Sequence, residues 1–350
     1  MSRAVGRFRP ALLFLGVLAV SAPAEADSIE QGHMRLSIGS FVVGYLPLPL
    51  ADALGFFRDE GITAEIENFG VGGSKSLQAL IGGSTDAVVG GYDHTIQMQA
   101  QGKSIQCVIE LNRTPGFAFA VRTEFAGEIR TLRDLKGRTL GISAAGSSTD
   151  FMVQKLLADA GLSTSDVRII PVGSGQNAVA AVENRTVDAQ VHFDPAITVL
   201  ERRGLAKVFY DLRTVEQTRA AFGGEYPFTC LYATTDFIGR KPVTVQRLVN
   251  AFARTLAWID AHSPAEIADA TPPEYQLGGR DVFVQVMEAS KPMFPADGHL
   301  NPADLVRAQQ VIAKHLPQPR GPDFRLESTY TNRFVDAVPA GATDARTSSR

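Results

Sequence analysis

From residue 34 onward, short apolar runs alternate with longer amphipathic ones. The strand-like stretches RLSIGSF, TAEIENF, DAVVGG and IQCVIEL are separated by the helix-like stretches PLADALGFFRDEG, SKSLQALIGG and HTIQMQAQGK. Strands alternating with helices predict βαβ units on a mainly parallel sheet. The rhythm then restarts: RTLGIS, a helix to Gly161, VRIIPV, a helix from Gln176, DAQVHF and a helix over Ile197–Arg203. A shift of 102 residues superposes Gly39 on Gly141, Gly44 on Gly146, Gly73 on Gly175, and Asp86-Ala87 on Asp188-Ala189. Coincidences at a single offset, falling at the same places in the rhythm, predict two similar lobes.

Between the copies, ELNRTPGFAFAVRTEF runs apolar across Pro115-Gly116, and EYPFTCLYATTDF does the same after the second copy. These read as two strands crossing between lobes, with hinges near Asn112–Phe119 and Thr229–Ala233. If the second crossing returns the chain to the first lobe, that lobe is discontinuous, built from 34–114 and 231–335 around a second lobe of 115–230. The long helical run TVQRLVNAFARTLAWIDAH, with pieces near Gly279–Ser290 and Pro302–His315, then packs on lobe 1. The small, polar end over 336–350 reads as a disordered tail.

Composition narrows the class. The chain opens with basic Arg3, Arg7 and Arg9, an apolar core over Ala11–Val20 and small residues before Asp27. That is the order of a secretory signal peptide over 1–26, cut after Ala26. The apolar run is about half of the roughly 20 residues a spanning helix needs. A formal charge of −3 and scattered basic residues exclude the clustered basic face of a nucleic-acid binder. The six histidines show no HExxH or Cys/His ligand spacing, so neither a metal nor a cofactor is expected. The two cysteines, Cys107 and Cys230, lie in apolar strand-like runs; they can pair in an oxidising compartment or stay buried thiols, and the sequence leaves both open.

Chemistry-bearing motifs are sparse. Gly173-Ser-Gly175-Gln-Asn-Ala178 follows a strand and precedes a helix, a loose G-x-G-x-x-A match. The repeat gives those glycines an architectural duty instead. GxxxxGK[ST] and GxSxG are both missing from the sequence, so phosphoryl transfer and serine hydrolysis lack their usual signatures.

The leader, ADALGFFRDEGI, FGVGGSKSLQALIGGSTDAVVGGYDH, GFAFAVR and LRDLKGRTLGISAAGSSTDFMVQKLLADAGL together resemble periplasmic substrate-binding proteins of ABC importers, the branch covering nitrate, sulfonate, taurine and thiamine-pyrimidine precursors. The resemblance spans about residues 34 to 335. It implies an α/β type II binding-protein fold: two mainly parallel sheets joined by two crossing segments, with a ligand cleft between. It also implies a periplasmic, monomeric, non-enzymatic solute carrier that delivers its ligand to an inner-membrane permease and its cytoplasmic ATPase. A sulfonate, taurine-like or nitrate-like anion heads the ligand classes. A thiamine-pyrimidine-type heterocycle, a ligand-sensing module for a membrane receptor, and an enzyme on the same fold are the alternatives.

In open α/β sheets ligands sit beyond the carboxyl ends of the strands. The candidate contacts are therefore Tyr45 and Pro47 facing Gly146, Ser147 and Ser148; Gly73 and Ser74 facing Gln176; and Tyr92 and Asp93 facing Asp194. Each has an ordinary structural alternative. The serines of GISAAGSSTDF can serve only as caps of their own helix, the tyrosines as core rings, and Asp194 as a cap of the helix after Pro195. Arg113, at the first crossing, is either a partner for an anion or a solvated side chain.

Overall fold

A computed structural model gives the fold, with residues 1, 28–312 and 325–339 described. Beyond Met1, the leader expected over 1–26 lies outside the described residues, as does the tail from 340 onward. Lobe 1 is built from β1 (His33–Ile38), α1 (Pro47–Ala53), α2 (Phe56–Asp59), β2 (Thr63–Asn68), α3 (Gly73–Ile81), β3 (Ala87–Gly91), α4 (Asp93–Ala100) and β4 (Ile105–Asn112). Lobe 2 follows as β5 (Phe117–Arg122), β6 (Thr139–Ile142), α5 (Ser148–Asp159), β7 (Arg168–Pro171), α6 (Gln176–Glu183), β8 (Ala189–Phe193), α7 (Ala196–Arg202), β9 (Ala206–Asp211) and α8 (Val215–Phe222). The chain returns through β10 (Thr229–Thr234) to α9 (Thr235–Arg240), α10 (Pro242–Ala261), α11 (Pro264–Ala270), α12 (Arg280–Ser290) and α13 (Pro302–Ile312).

The two sheets have the same plan, β2-β1-β3-β10-β4 and β7-β6-β8-β5-β9. They are mixed rather than uniformly parallel: β10 runs antiparallel to β3 and β4, and β5 antiparallel to β8 and β9, so one strand in each points against the other four. The reason lies in the crossings. A chain that leaves one lobe at the carboxyl end of a strand enters the other at its facing edge, and can only run away from the cleft. The crossings themselves are short. Thr229 already pairs with Gly91, so the second one lies just before the expected Thr229–Ala233. Central strands such as β3 are buried along their whole length while the edge strand β2 is exposed at alternate positions, as expected of a sheet covered on both faces.

The repeat is real in topology but drifts in register. Leu36 pairs with Ala87 and Leu140 with Ala189, so the first strands stand 104 positions apart and the third strands 102. The glycine coincidences Gly39/Gly141 and Gly44/Gly146 are therefore not structural equivalents, because the second copy is two residues shorter between those strands. Gly39 corresponds to Ser143: each carbonyl accepts from the loop before the next helix, Gly72 N–H at 2.9 Å and Gly173 N–H at 3.1 Å. Gly39 is required by that approach, since a Cβ there would lie 2.1 Å from the Gly72 carbonyl carbon.

Of the carboxyl-terminal helices α10 packs on lobe 1, whereas α12 contacts α7 of lobe 2 and α13 contacts both α4 and α5, so the pieces expected to pack on lobe 1 bridge the two lobes instead. Pro242, with its φ pre-set for a first helical position, opens the 20-residue α10. Its apolar face (Val245, Leu248, Val249, Phe252, Leu256, Ile259) is buried against α1, α2 and β4, and Phe252 meets Phe57 edge to face at 5.4 Å. Each such side chain contributes about 1.5–3 kcal/mol relative to exposure. Thr329–Thr331 runs back along the outer edge of β4, with Cys107 N–H donating to Thr329 O and Thr331 N–H to Cys107 O. Cys107 and Cys230 form a disulfide between β4 and β10, at the root of both crossings. Among the described residues no helix is long and apolar enough to cross a membrane.

Candidate functional site

Three strand-to-helix loops from each lobe converge between the sheets. In lobe 1 they follow β1, β2 and β3, and in lobe 2 they follow β6, β7 and β8. The lobes touch along this seam. Val43 N–H donates to Asp194 O at 2.9 Å, and a Cβ on Gly72 would sit 3.1 Å from Ser143 Oγ and 3.2 Å from Ala144 Cβ. Gly72 has φ +125°, a conformation open to glycine and strained for other residues.

At the centre Ser148 Oγ donates to Asp93 Oδ1 at 2.9 Å, joining the first residues of α5 and α4. The end of β3 permits this meeting because it is glycine: a Cβ on Gly91 would lie 2.3 Å from Asp93 Oδ1 and 2.5 Å from Ser148 Oγ. His94 is fully buried beside them. Its Nδ1 stands 3.0 Å from the Tyr232 hydroxyl, whereas Nε2 is without a partner among the described residues. The ring packs against Gly73, where a Cβ would come within 3.0 Å of His94 Cε1 and 3.7 Å of the Tyr45 hydroxyl.

Burial governs the charges here. It pushes the Asp93 carboxyl above its ordinary range, against the pull of His94 and the Ser148 hydrogen bond. It depresses the His94 imidazole although Asp93 pulls the other way, leaving a neutral ring whose Nε2 has one hydrogen-bonding role to fill. Burial and then neighbouring Asp93 raise Tyr45 and Tyr226; burial, Tyr45 and Asp93 raise Tyr232, so all three stay neutral phenols. Asp194 is differently placed. Its Oδ1 accepts from Thr198 N–H at 2.9 Å and the Thr198 hydroxyl at 2.7 Å, and Arg213 Nη1 lies 3.2 Å from Oδ2.

Tyr45, Gly73, Asp93 and Ser148 are thus brought together at the seam. Of the other expected contacts, Gln176 and Asp194 line the cavity beside the seam, and the rest make contacts of their own away from it. Ser147 donates to Ala144 O at 2.7 Å and is knotted with Ser143 and Thr149 inside its own loop. Gly146 N–H is taken by Asp150 Oδ2 at 2.8 Å; with Ser74 and Lys103, Gly146 lines a separate groove of about 480 Å³. The Tyr92 hydroxyl is 2.6 Å from Thr329 Oγ1 in the interior of lobe 1, facing away from the cleft because the returning chain supplies its partner there. Pro47 is buried as the first residue of α1. Asp194 presents its backbone to the cleft while its carboxylate caps α7, and Gln176 is exposed at the rim. Arg113 donates from Nε to Pro292 O at 3.1 Å and lies 3.7 Å from Glu225, bracing the crossing rather than reaching the seam.

Beside the seam a cavity of about 220 Å³ opens between Ser40–Val42 of lobe 1 and Ser174–Gln176 and Phe193–Ala196 of lobe 2, with Glu274, Tyr275 and Leu277 on its outer side. None of the residues lining it is Lys or Arg. Sequence reasoning placed His94 in a loop facing Asp194 without giving it a contact, and left out Ser174 and Tyr275. His94 carried a signal, standing next to Asp93 after a strand; Tyr275 carried none, since its segment lies in neither repeat. Among the described residues no group of three or more His, Cys, Asp or Glu can hold a metal ion.

Comparison with known proteins adds to this geometry. The family model described as NMT1/THI5 like matches residues 44–267. A solved structure from Bordetella bronchiseptica RB50 is 35% identical, with a TM-score of 0.84, covering 89% of this chain and 98% of its own. The alkanesulfonate-binding protein SsuA from Xanthomonas axonopodis pv. citri, bound to MOPS, is 21% identical with a TM-score of 0.66 over 83% of this chain and 96% of its own. The periplasmic nitrate-binding protein NrtA from Synechocystis PCC 6803 is 13% identical with a TM-score of 0.73 over 92% and 90%. The likeness to the last two is one of fold, the two-lobed α/β fold of periplasmic binding proteins.

Proposed function

The chain belongs to the NMT1/THI5-like family, and from that premise we propose that it is the extracytoplasmic solute-binding component of an ABC importer, holding a small molecule between its lobes and handing it to a membrane permease. The observation that carries this reading is the seam. A buried carboxylate and a buried, unpartnered imidazole nitrogen of lobe 1 meet the start of α5 from lobe 2 across the gap between two similar sheets. A buried polar atom without a partner costs about 1–3 kcal/mol, and a solute that supplies the partner draws the lobes together.

The same groups choose among ligands. A pure anion such as nitrate meets the exposed Glu274 and finds no basic side chain in the cavity wall. A molecule that offers an amine or ring N–H to Glu274 and carries no full negative charge fits better. An amino-substituted nitrogen heterocycle therefore ranks above the sulfonates and nitrate that the resemblance puts first.

A thermal-shift screen of the leader-free protein tests both statements, using aminopyrimidines, taurine, alkanesulfonates and nitrate. A binder at about 100 times its dissociation constant adds about 2.7 kcal/mol, and solution scattering of that complex should contract. Shifts confined to taurine, sulfonates or nitrate overturn the ligand assignment. A protein that neither shifts nor contracts with any of the panel, and does not stimulate uptake in vesicles bearing its permease, overturns the carrier role.

A further inference from the structure

The outer side of the cavity is formed by a segment that belongs to neither sheet and lies beyond the residues matched by the family. Between α11 and α12, residues 271–279 read Thr-Pro-Pro-Glu-Tyr-Gln-Leu-Gly-Gly. The loop is stiff at one end, where Pro272 and Pro273 restrict the backbone, and adaptable at the other, where Gly278 and Gly279 take φ of +85° and +90°. Its middle is pinned by Gln276, whose Nε2 donates to Thr271 O at 2.6 Å and Ala268 O at 2.8 Å. The loop leans on both lobes. The Tyr275 ring lies 4.8 Å from the ring of Phe41 in lobe 1, and Gly278 abuts Val199 of lobe 2, where a Cβ would come within 2.8 Å of a Val199 methyl. Glu274 is exposed at the cavity and forms no ion pair among the described residues, while the other carboxylate of the lining, Asp194, is compensated by Arg213.

We propose that residues 271–279 are a gate on the interlobe cavity, in which Tyr275 closes the mouth against Phe41 and Glu274 admits cationic and amine-bearing solutes in preference to anions. The proposal rests on the cleft being the solute site. The gate works because one aromatic pair, rather than a covalent or extended contact, holds it. Such a pair shifts an open–closed balance by roughly two- to tenfold, enough to close the mouth without locking it. A single uncompensated charge at a narrow opening biases encounter by sign, by about tenfold or more in clefts of this kind.

The test needs no ligand. Ser174 lines the cavity and its hydroxyl is buried without a partner, and both native cysteines are in a disulfide, so S174C places one free thiol behind the gate. Its rate of modification is measured with a trimethylammonium and with a sulfonate methanethiosulfonate reagent, each normalised to the unfolded chain. The cationic reagent should react about tenfold faster, and E274Q should bring the ratio towards one. Y275A should speed both reagents roughly two- to tenfold, whereas Y275F should leave them unchanged. Q276A frees the loop without altering the cavity wall and should act as Y275A does, which covers a Y275A protein that circular dichroism shows to be misfolded. A ratio of one in S174C alone, or rates that respond to neither Y275A nor Q276A, overturns the gate. That result leaves the carrier reading standing, and a protein that binds nothing in the thermal screen can still show charge-selective entry.

Discussion

At the scale of single residues, the seam trades stability for recognition. Burial holds the Asp93 carboxyl above its ordinary value, so as pH rises the unfolded chain releases that proton first and the group subtracts stability through the interval up to the raised value. Asp93→Asn keeps an acceptor for Ser148 Oγ and removes the charge. We expect it to unfold at a higher temperature than the parent at pH 7, with the difference vanishing as pH falls below the ordinary carboxylate range; melting curves at several pH values check this. Ser147 and Ser148 separate just as clearly. A hydroxyl donated to a carboxylate is worth about 1.5–3 kcal/mol, and this one ties the two lobes in the closed form, so Ser148→Ala should disfavour closure and weaken solute binding by roughly ten- to a hundredfold. Ser147→Ala loosens the knot with Ser143 and Thr149 and should cost about 1 kcal/mol of stability with the dissociation constant unchanged. Titration of both variants, at a temperature where each is folded, distinguishes them. The sequence showed a seat of small and hydroxyl residues ahead of α5. It did not show which hydroxyl leaves the loop, because that is decided by Asp93 approaching from 55 residues away.

At the scale of elements, alternation of apolar and amphipathic runs was enough to mark strands and helices, since each has its own period of burial. Equivalence between the copies was less legible: a uniform offset paired glycines whose backbones have different duties, because loop lengths change between strands that themselves stay in register. The disulfide shows the same boundary. Two cysteines in two apolar strands were visible, but β4 and β10 become neighbours only because the chain returns from lobe 2. The bond closes a loop with a sequence separation of 123, which contains the whole lobe 2 sheet. Constraining an unfolded loop of about 100 residues is worth up to about 4.7 kcal/mol. Replacing Cys107 and Cys230 together with alanine should therefore lower unfolding free energy by about 2–5 kcal/mol in denaturant titrations, while the closed lobes keep their affinity for solute, since neither cysteine lines the cavity.

At the scale of the whole molecule, two copies of one plan are welded at their cleft edges, and each lobe takes one antiparallel strand from the crossing that joins them. That exchange makes the short crossings the natural place for rotation, and the seam and the 271–279 loop the places where rotation is felt. The periodicity of the sequence determined the helices and strands and their repetition in two lobes, because burial period and turn residues are local properties of the chain; the ligand cleft between the lobes was what the family resemblance implied. The tertiary structure alone decided which side chains face the cleft. Tyr92 is turned inward by Thr329, which returns from 237 residues away, Asp194 is claimed by Arg213 and the start of α7, and Tyr275 closes on Phe41 from a segment outside both repeats. A loop side chain points to whichever partner satisfies it at least cost, and those partners are assembled only by the fold.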